Sequence, residues 1–238
     1  MHSAPDAPPA GRYGRRVPSG GRDLVADLGV LARQSVTIEP GLEHHELFTM
    51  SGLLTVLWHG PPDAEAVLVA CGGAMGGLLG PADGLYQDLG VDLAADGIGT
   101  LRVGFRSPGE LAQCTLDVAA ALQLAERNGA VRAVTMGHSF GGAVAVRVGA
   151  ALPELVCGVV GLATQSAGCE VAGGLAGRPL LLVHGDADEL LPPECSLVVR
   201  ELAGGGEVIV VPGGGHLLRE AGDLLRERLP AWVREQLR

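Results

Sequence analysis

The sequence lacks several features that mark other classes of protein. It contains no lysine, so arginine supplies all 17 of its positive charges, and aromatic residues make up only 3% of its 238 positions. No apolar run reaches the roughly 20 residues that a membrane-spanning helix needs. The five cysteines are odd in number and lack the paired spacing of a disulfide framework or a zinc site. We therefore expect a cytoplasmic protein with no membrane partner, no bound metal and a core of Val, Leu and Ala.

Negative charge is in excess, but it is unevenly distributed. The net charge of the whole chain is −10. Residues 1–35 contain five arginines and three aspartates, whereas residues 36–238 contain 12 arginines and 24 acidic residues. The excess of acidic residues in 36–238 disfavours nucleic acid and anionic membrane surfaces as partners. We interpret residues 1–35 as a disordered or weakly ordered N-terminal arm that contains a short helix over residues 23–34. Residues 36–238 are long enough for one substantial domain.

Predicted strands and helices alternate from residue 45 onward. Residues 46–50 and 54–58 flank a Ser-Gly turn and predict an antiparallel hairpin. Continuous apolar runs, such as residues 66–70, predict strands that are buried on both faces. The spacing of leucines across residues 108–128 predicts an amphipathic helix. This order predicts an α/β fold with a doubly wound, mostly parallel sheet and an antiparallel N-terminal hairpin.

One motif has the pattern of a turn that carries a nucleophilic serine. Gly-His-Ser-Phe-Gly at residues 137–141 directly follows the apolar run 133–136. Where a strand turns sharply into a helix, the central residue is strained and its neighbours approach closely, so glycine fits on both sides. Residues 142–151 are small and suit a helix packed on a sheet, and Pro153 closes that helix. The motif therefore predicts a Ser139 hydroxyl exposed at the carboxyl edge of the sheet.

A serine hydroxyl becomes a good nucleophile when a base takes its proton and a carboxylate orients that base. In this topology, reactive groups gather in the loops that follow the strands. One such loop begins with His-Gly-Asp-Ala-Asp-Glu at residues 184–189, and another is Pro-Gly-Gly-Gly-His at residues 212–216. His216 is the candidate base, and the candidate acids are Asp186, Asp188 and Glu189.

Taken together, these three motifs resemble the α/β-hydrolase superfamily, in the same order and spacing, from about residue 45 to the C-terminus. The resemblance implies that Ser139 is the nucleophile and that His216 is the general base and acid. It also implies that Asp188 is the orienting acid, because the family's His-Gly-x-x-Asp pattern places the carboxylate there. We interpret the other nearby histidines differently: His138 as a packed residue, and His184 as one that shapes the loop of Asp188.

The resemblance further implies an oxyanion hole made of two backbone N–H donors. One donor would be the N–H of Phe140, directly after the nucleophile. The second would come from the glycine-rich loop that begins at Cys71, where related enzymes usually have His-Gly and this chain has Cys-Gly. Gly73 is our choice for the second donor, and Ala74 is the alternative.

Many members of the superfamily insert a helical lid before the strand that carries the acid, whereas only residues 164–178 are available for one here. We therefore expect an open, lidless site of the dienelactone-hydrolase or small-esterase type. The residues expected to line it are Met75, Phe140, Leu190, Leu191 and Leu217.

The implied function is that of a serine hydrolase which cleaves small carboxylic esters or thioesters through an acyl-enzyme. Its partner would be a small acyl substrate, and no cofactor is expected. Three alternatives use the same residues in catalysis: an acyltransferase, a perhydrolase and a peptidase. A fourth alternative is a non-catalytic binding protein with this fold, because fold alone does not determine function.

Overall fold

A nine-stranded sheet organises the protein in the computed structural model, which describes residues 22–238. In chain order, its strands are β1 (Val30–Glu39), β2 (Leu42–Thr49), β3 (Gly52–His59), β4 (Ala66–Cys71), β5 (Gly99–Gly104), β6 (Arg132–His138), β7 (Val156–Leu162), β8 (Leu180–Gly185) and β9 (Glu207–Val211). Their spatial order is β1-β2-β3-β5-β4-β6-β7-β8-β9. In this spatial order, the three neighbouring pairs β1–β2, β2–β3 and β3–β5 are antiparallel. All the other neighbouring pairs, from β5–β4 to β8–β9, are parallel. The predicted fold class is confirmed.

Helices cover both faces of the sheet. They are α1 (Leu24–Asp27), α2 (Pro81–Ala94), α3 (Leu111–Asn128), α4 (Phe140–Ala151), α5 (Glu194–Leu202) and α6 (Gly222–Gln236), with short 3-10 helices over Ala172–Leu175 and Arg219–Ala221. One core lies between the sheet and α2 and α6, and the other lies between the sheet and α1, α3 and α4. Both cores consist mainly of Val, Leu and Ala. Among the helices of residues 22–238, none is long and apolar enough to cross a membrane.

The N-terminal elements differ from the prediction. The prediction of a helix over residues 23–34 is wrong beyond a single turn. Asp23 caps the N-terminus of α1, where its carboxylate accepts from the Ala26 N–H at 2.9 Å. The helix ends before Gly29, whose φ is +62°. The next ten residues form β1, which pairs with β2 along its length. Since β1 is exposed on both faces, it has no burial pattern that would identify it as a strand. The first part of the predicted arm, residues 1–21, lies outside the described residues.

A buried ion pair anchors the loop that follows β5. Arg106 Nε donates to Asp117 Oδ1, and the backbone N–H of Arg106 donates to Oδ2 at 2.9 Å. Arg106 Nη1 also donates to Ser51 Oγ at 2.6 Å in the turn between β2 and β3. Burial raises the pKa of Asp117, although its hydrogen bonds with Arg106 act in the opposite direction. One cation therefore connects the hairpin turn, the end of β5 and α3.

Removing the Asp117 carboxylate should lower the free energy of unfolding far more than removing a carboxylate at the surface. Asp117→Ala leaves a buried guanidinium without its partner, and we expect it to lower the free energy of unfolding by about 3–5 kcal/mol. Asp88→Ala is the matched control: Asp88 accepts from Arg226 at 2.8 Å, but their side chains are 48% and 36% exposed, against 0% and 4% for Asp117 and Arg106. We expect the control to lose less than about 1 kcal/mol. Urea unfolding measures both losses, and equal losses would contradict this account.

Candidate active site

Ser139 occupies a strained turn between β6 and α4. Its φ of +57° and ψ of −119° lie outside the regions that residues with a side chain ordinarily adopt. Gly137 and Gly141 permit this turn, because a Cβ added at Gly137 would overlap the Gly141 carbonyl and one added at Gly141 would overlap the Gly72 carbonyl. The turn leaves the Ser139 side chain partly exposed at the carboxyl edge of the sheet.

His216 and Asp188 meet Ser139 at this edge. His216, in the loop after β9, lies with its Nε2 3.0 Å from Ser139 Oγ and its Nδ1 2.7 Å from Asp188 Oδ2. Because a carboxylate only accepts, the Nδ1 of His216 carries the proton and donates to Asp188. Nε2 is then free to accept from the Ser139 hydroxyl. The structure thus brings together the three residues that the sequence suggested as nucleophile, base and acid.

The three candidate acids have different surroundings. The side chain of Asp188 is fully buried, and its Oδ1 accepts from the N–H groups of Leu190 at 2.8 Å and Leu191 at 2.9 Å. Asp186 is exposed, and its Oδ1 accepts from the Gly213 N–H at 2.6 Å, which ties the loop after β8 to the loop after β9. Glu189 is also exposed. Of the three, Asp188 is the carboxylate that contacts His216.

Asp188 is held in its ionised form. Burial alone would raise the pKa of Asp188, but hydrogen bonds from the Leu191 N–H, from His216 and from the Leu190 N–H together outweigh it. The pKa therefore lies below its ordinary value. A carboxylate that stays charged next to an imidazole stabilises that imidazole when it gains a proton.

Two backbone segments lie beside the Ser139 side chain. Phe140 is the first residue of α4, so its N–H has no partner within the helix. Gly73 lies against the nucleophile, since a Cβ added there would be 3.5 Å from Ser139 Cβ. The Gly76 N–H donates to the Gly73 carbonyl at 2.9 Å and closes a turn with Ala74 exposed at its tip. Gly73 and Gly76 also pair as an isolated antiparallel bridge, so the Gly73 N–H faces the Gly76 carbonyl. The hydrogen bonds of residues 22–238 include none from the Ala74 N–H.

Two further histidines surround the site. His138 Nε2 donates to the backbone carbonyl of His216 at 2.9 Å, and the two rings lie 4.9 Å apart. Burial lowers the pKa of His138 to about 4, so this ring is neutral at neutral pH. His184 is fully buried behind Asp188 and contacts the Ser196 hydroxyl. Sequence reasoning did not identify Ser196, which lies on α5 and belongs to no motif.

The expected lining residues fall into two groups. Met75, Leu190 and Leu217 are exposed by 95%, 67% and 44%, and Leu191 is half-buried. Phe140 is different, because its side chain is buried and packs edge-to-face on Phe105 with ring centroids 6.2 Å apart. The expectation that the Phe140 side chain lines the site is therefore wrong, and only its backbone faces Ser139.

The connection between β7 and β8 is short. It runs over residues 163–179 and contains the single 3-10 helix Ala172–Leu175. The Gln165 N–H donates to the Ser139 carbonyl at 3.3 Å, so the start of this connection packs on the turn that carries the nucleophile. The segment supports the turn of Ser139 and is too short to form a separate lid domain.

Comparisons with known proteins identify the architecture. No protein-family model and no curated protein sequence matches this sequence. Est1E from Butyrivibrio proteoclasticus is similar in structure, with 18% identity, a TM-score of 0.67 and coverage of 81% of this chain and 98% of that chain. A dienelactone hydrolase from Anabaena variabilis is 16% identical, with a TM-score of 0.69 and coverage of 87% and 99%. A monoacylglycerol lipase from Paleococcus ferrophilus is 18% identical, with a TM-score of 0.58 and coverage of 77% and 99%.

Each of these matches covers nearly the whole of the solved chain. The nine-stranded, mostly parallel sheet with an antiparallel N-terminal part and flanking helices matches the α/β-hydrolase fold. The protein has the α/β-hydrolase fold.

Proposed function

We propose that this protein is a serine hydrolase that cleaves small carboxylic esters or thioesters through Ser139, His216 and Asp188. The observation that carries the proposal is the unbroken chain of contacts from Asp188 Oδ2 to His216 at 2.7 Å and from His216 to Ser139 Oγ at 3.0 Å. Such a chain activates a hydroxyl toward an acyl carbon. Chains with the same fold include a dienelactone hydrolase, a thioesterase domain and a monoacylglycerol lipase, which supports the same general class.

Acylation begins when Ser139 Oγ attacks the acyl carbon and its proton passes to His216 Nε2. Asp188 stabilises the imidazolium that forms. The substrate's carbonyl oxygen becomes an oxyanion, and the N–H of Phe140 and that of Gly73 or Ala74 donate to it near the positive end of the α4 dipole. His216 then gives its proton to the departing alcohol or thiol, and the acyl group remains on Ser139.

Water completes the reaction. His216 Nε2 takes a proton from a water molecule, whose oxygen attacks the acyl carbon of the ester on Ser139. The tetrahedral intermediate collapses, the Ser139 oxygen recovers the proton from His216, and a carboxylic acid is released. One substrate and one water thus give one acid and one alcohol or thiol.

A fluorophosphonate probe tests the nucleophile directly. We expect intact-mass analysis to find a single adduct on the native protein and none on Ser139→Ala, because the probe needs an activated hydroxyl. Ester hydrolysis should fall by a factor on the order of 10⁶ in the same variant. Ser166→Ala is the matched control: Ser166 follows β7 at the same edge of the sheet, and this variant should label like the native protein.

The outcomes of this experiment separate the proposal from its alternatives. A folded native protein that forms no adduct would favour a non-catalytic binding protein. An adduct together with transfer of the acyl group to an added alcohol or peroxide, in preference to water, would favour an acyltransferase or perhydrolase. Cleavage of short peptides in preference to esters would favour a peptidase.

The acid side of the pH profile should report the loss of a single proton-accepting group. Protonation of His216 removes the base, so we expect kcat/KM to fall about tenfold for each unit of decreasing pH. Asp188, whose pKa is held below its ordinary value, stays ionised there. His138, with burial lowering its pKa to about 4, stays neutral there. A plot of log kcat/KM against pH should therefore have a slope of 1 on its acid side, and a slope of 2 would contradict this assignment.

We also propose that exposed apolar side chains at the site contact the acyl group. Met75 lies on the loop of Gly73, Leu190 on the loop of Asp188, and Leu217 directly follows His216. Each of the three loops that carry a functional group therefore presents at least one large apolar side chain to solvent. Apolar side chains exposed around a reactive centre are typical of a binding surface for apolar groups.

Esters of increasing chain length test this contact. We expect kcat/KM of the native protein to be higher for a hexanoate than for an acetate ester, since each methylene removed from water contributes about 0.8 kcal/mol. In Met75→Ser and Leu190→Ser, the hexanoate-to-acetate ratio should fall roughly 4- to 15-fold, the equivalent of one or two methylenes. Val91→Ser, an exposed apolar position on α2, is the control and should keep the native ratio. An unchanged ratio in both site variants would rule out the contact.

A further inference from the structure

A second imidazole lies behind the carboxylate of the site. His184, near the end of β8, is fully buried, and its Nε2 is 3.0 Å from the Leu191 carbonyl oxygen and 3.3 Å from Asp188 Oδ2. Its Nδ1 is 2.7 Å from the hydroxyl of Ser196, which is also fully buried. Asp188 Oδ2 therefore lies between two imidazoles, those of His216 and His184.

These contacts determine which nitrogen of His184 carries a proton. A carbonyl oxygen and a carboxylate oxygen both face Nε2, and both are acceptors, so Nε2 is the donor. Nδ1 is then the acceptor, and the Ser196 hydroxyl donates to it. Ser196 thereby selects the tautomer in which an N–H points toward Asp188 and Leu191.

Leu191 closes a ring of hydrogen bonds around the acid. Its N–H donates to Asp188 Oδ1 at 2.9 Å, and its carbonyl accepts from His184 Nε2 at 3.0 Å. Because Ser196 lies on α5, the bonds join β8, the loop of Asp188 and α5 into one buried unit. With Asp188 Oδ1 occupied by backbone donors, Oδ2 is directed toward His216.

We propose that His184 and Ser196 are positioning residues for the reaction of this site: they hold Asp188 so that its Oδ2 meets His216 Nδ1. The inference rests on the proposed function and adds two residues to it. Neither residue touches the reacting atoms, since His184 reaches Asp188 and Leu191 and Ser196 reaches His184. Their contribution is to restrict the carboxylate to one orientation, which matters most when the imidazolium of His216 forms.

Substitutions at His184 can separate its two nitrogens. In His184→Gln, the side-chain amide can replace Nε2 and still donate toward Leu191 and Asp188. In His184→Asn, the shorter amide replaces only the Nδ1 position and loses those contacts. We expect kcat of His184→Asn to fall roughly 10- to 100-fold with KM little changed, and His184→Gln to recover most of the loss.

Ser196 provides a second test that alters the packing less. Ser196→Ala removes the donor that selects the tautomer, so kcat should fall while KM is retained, and Ser196→Thr should restore kcat because it keeps the hydroxyl. Leu197→Ala, at the neighbouring exposed position on α5, is the control and should keep native kcat and KM. Thermal unfolding of each variant identifies any loss that arises from poor folding.

The outcomes distinguish this inference from the function on which it rests. If the native protein neither labels at Ser139 nor hydrolyses esters, both proposals fail. If the native protein is active but His184→Asn and Ser196→Ala keep native kcat, only the positioning role is overturned. Equal losses in His184→Gln and His184→Asn, or a loss in Ser196→Ala that Ser196→Thr does not restore, would also overturn it.

Discussion

Backbone contact at three glycines is the constraint on which the site depends. Gly137 and Gly141 meet each other across the turn of Ser139, and Gly141 also meets Gly72 at the end of β4. A side chain at Gly137 or Gly141 would force β6, α4 and the loop after β4 apart. Their contact holds Ser139 at a positive φ and places the loop of Gly73 beside its side chain. The strain at one residue is sustained by the buried packing of α4 around it.

The parallel part of the sheet brings the remaining groups to the same place. β8 and β9 are neighbours whose carboxyl ends share one edge, so the loops of Asp188 and His216 leave the sheet side by side. The Ala187 N–H donates to the Gly214 carbonyl at 3.0 Å, and Gly185 lies so close to Gly214 that a Cβ would overlap its carbonyl. The distance between the acid and the base is therefore set by backbone contacts and not by two flexible loops.

The three histidines around the site have different contacts, and His216 is the one whose ring reaches Ser139 Oγ. His138 is kept neutral by burial, so no second positive charge forms 4.9 Å from the His216 ring. Its Nε2 instead holds the His216 backbone, while His184 holds the loop of Asp188. In the function we propose, one histidine moves the proton and two fix the geometry in which it moves.

Features that depend on local chemistry could be predicted from the sequence: the apolar runs of β4 to β9, the glycine-flanked turn of Ser139, and the loops that carry Asp188 and His216. The sequence did not identify β1, whose exposure on both faces leaves no alternation, nor the buried side chain of Phe140. The residues alone left Asp186, Asp188 and Glu189 open as the acid, the resemblance implied Asp188, and the packed structure places Asp188 against His216. Packing also brings Ser196 to His184, a contact that no motif indicated. These contacts depend on packing because a hydrogen bond joins side chains by distance and direction in space, and both are set by how β8, β9 and α5 pack together.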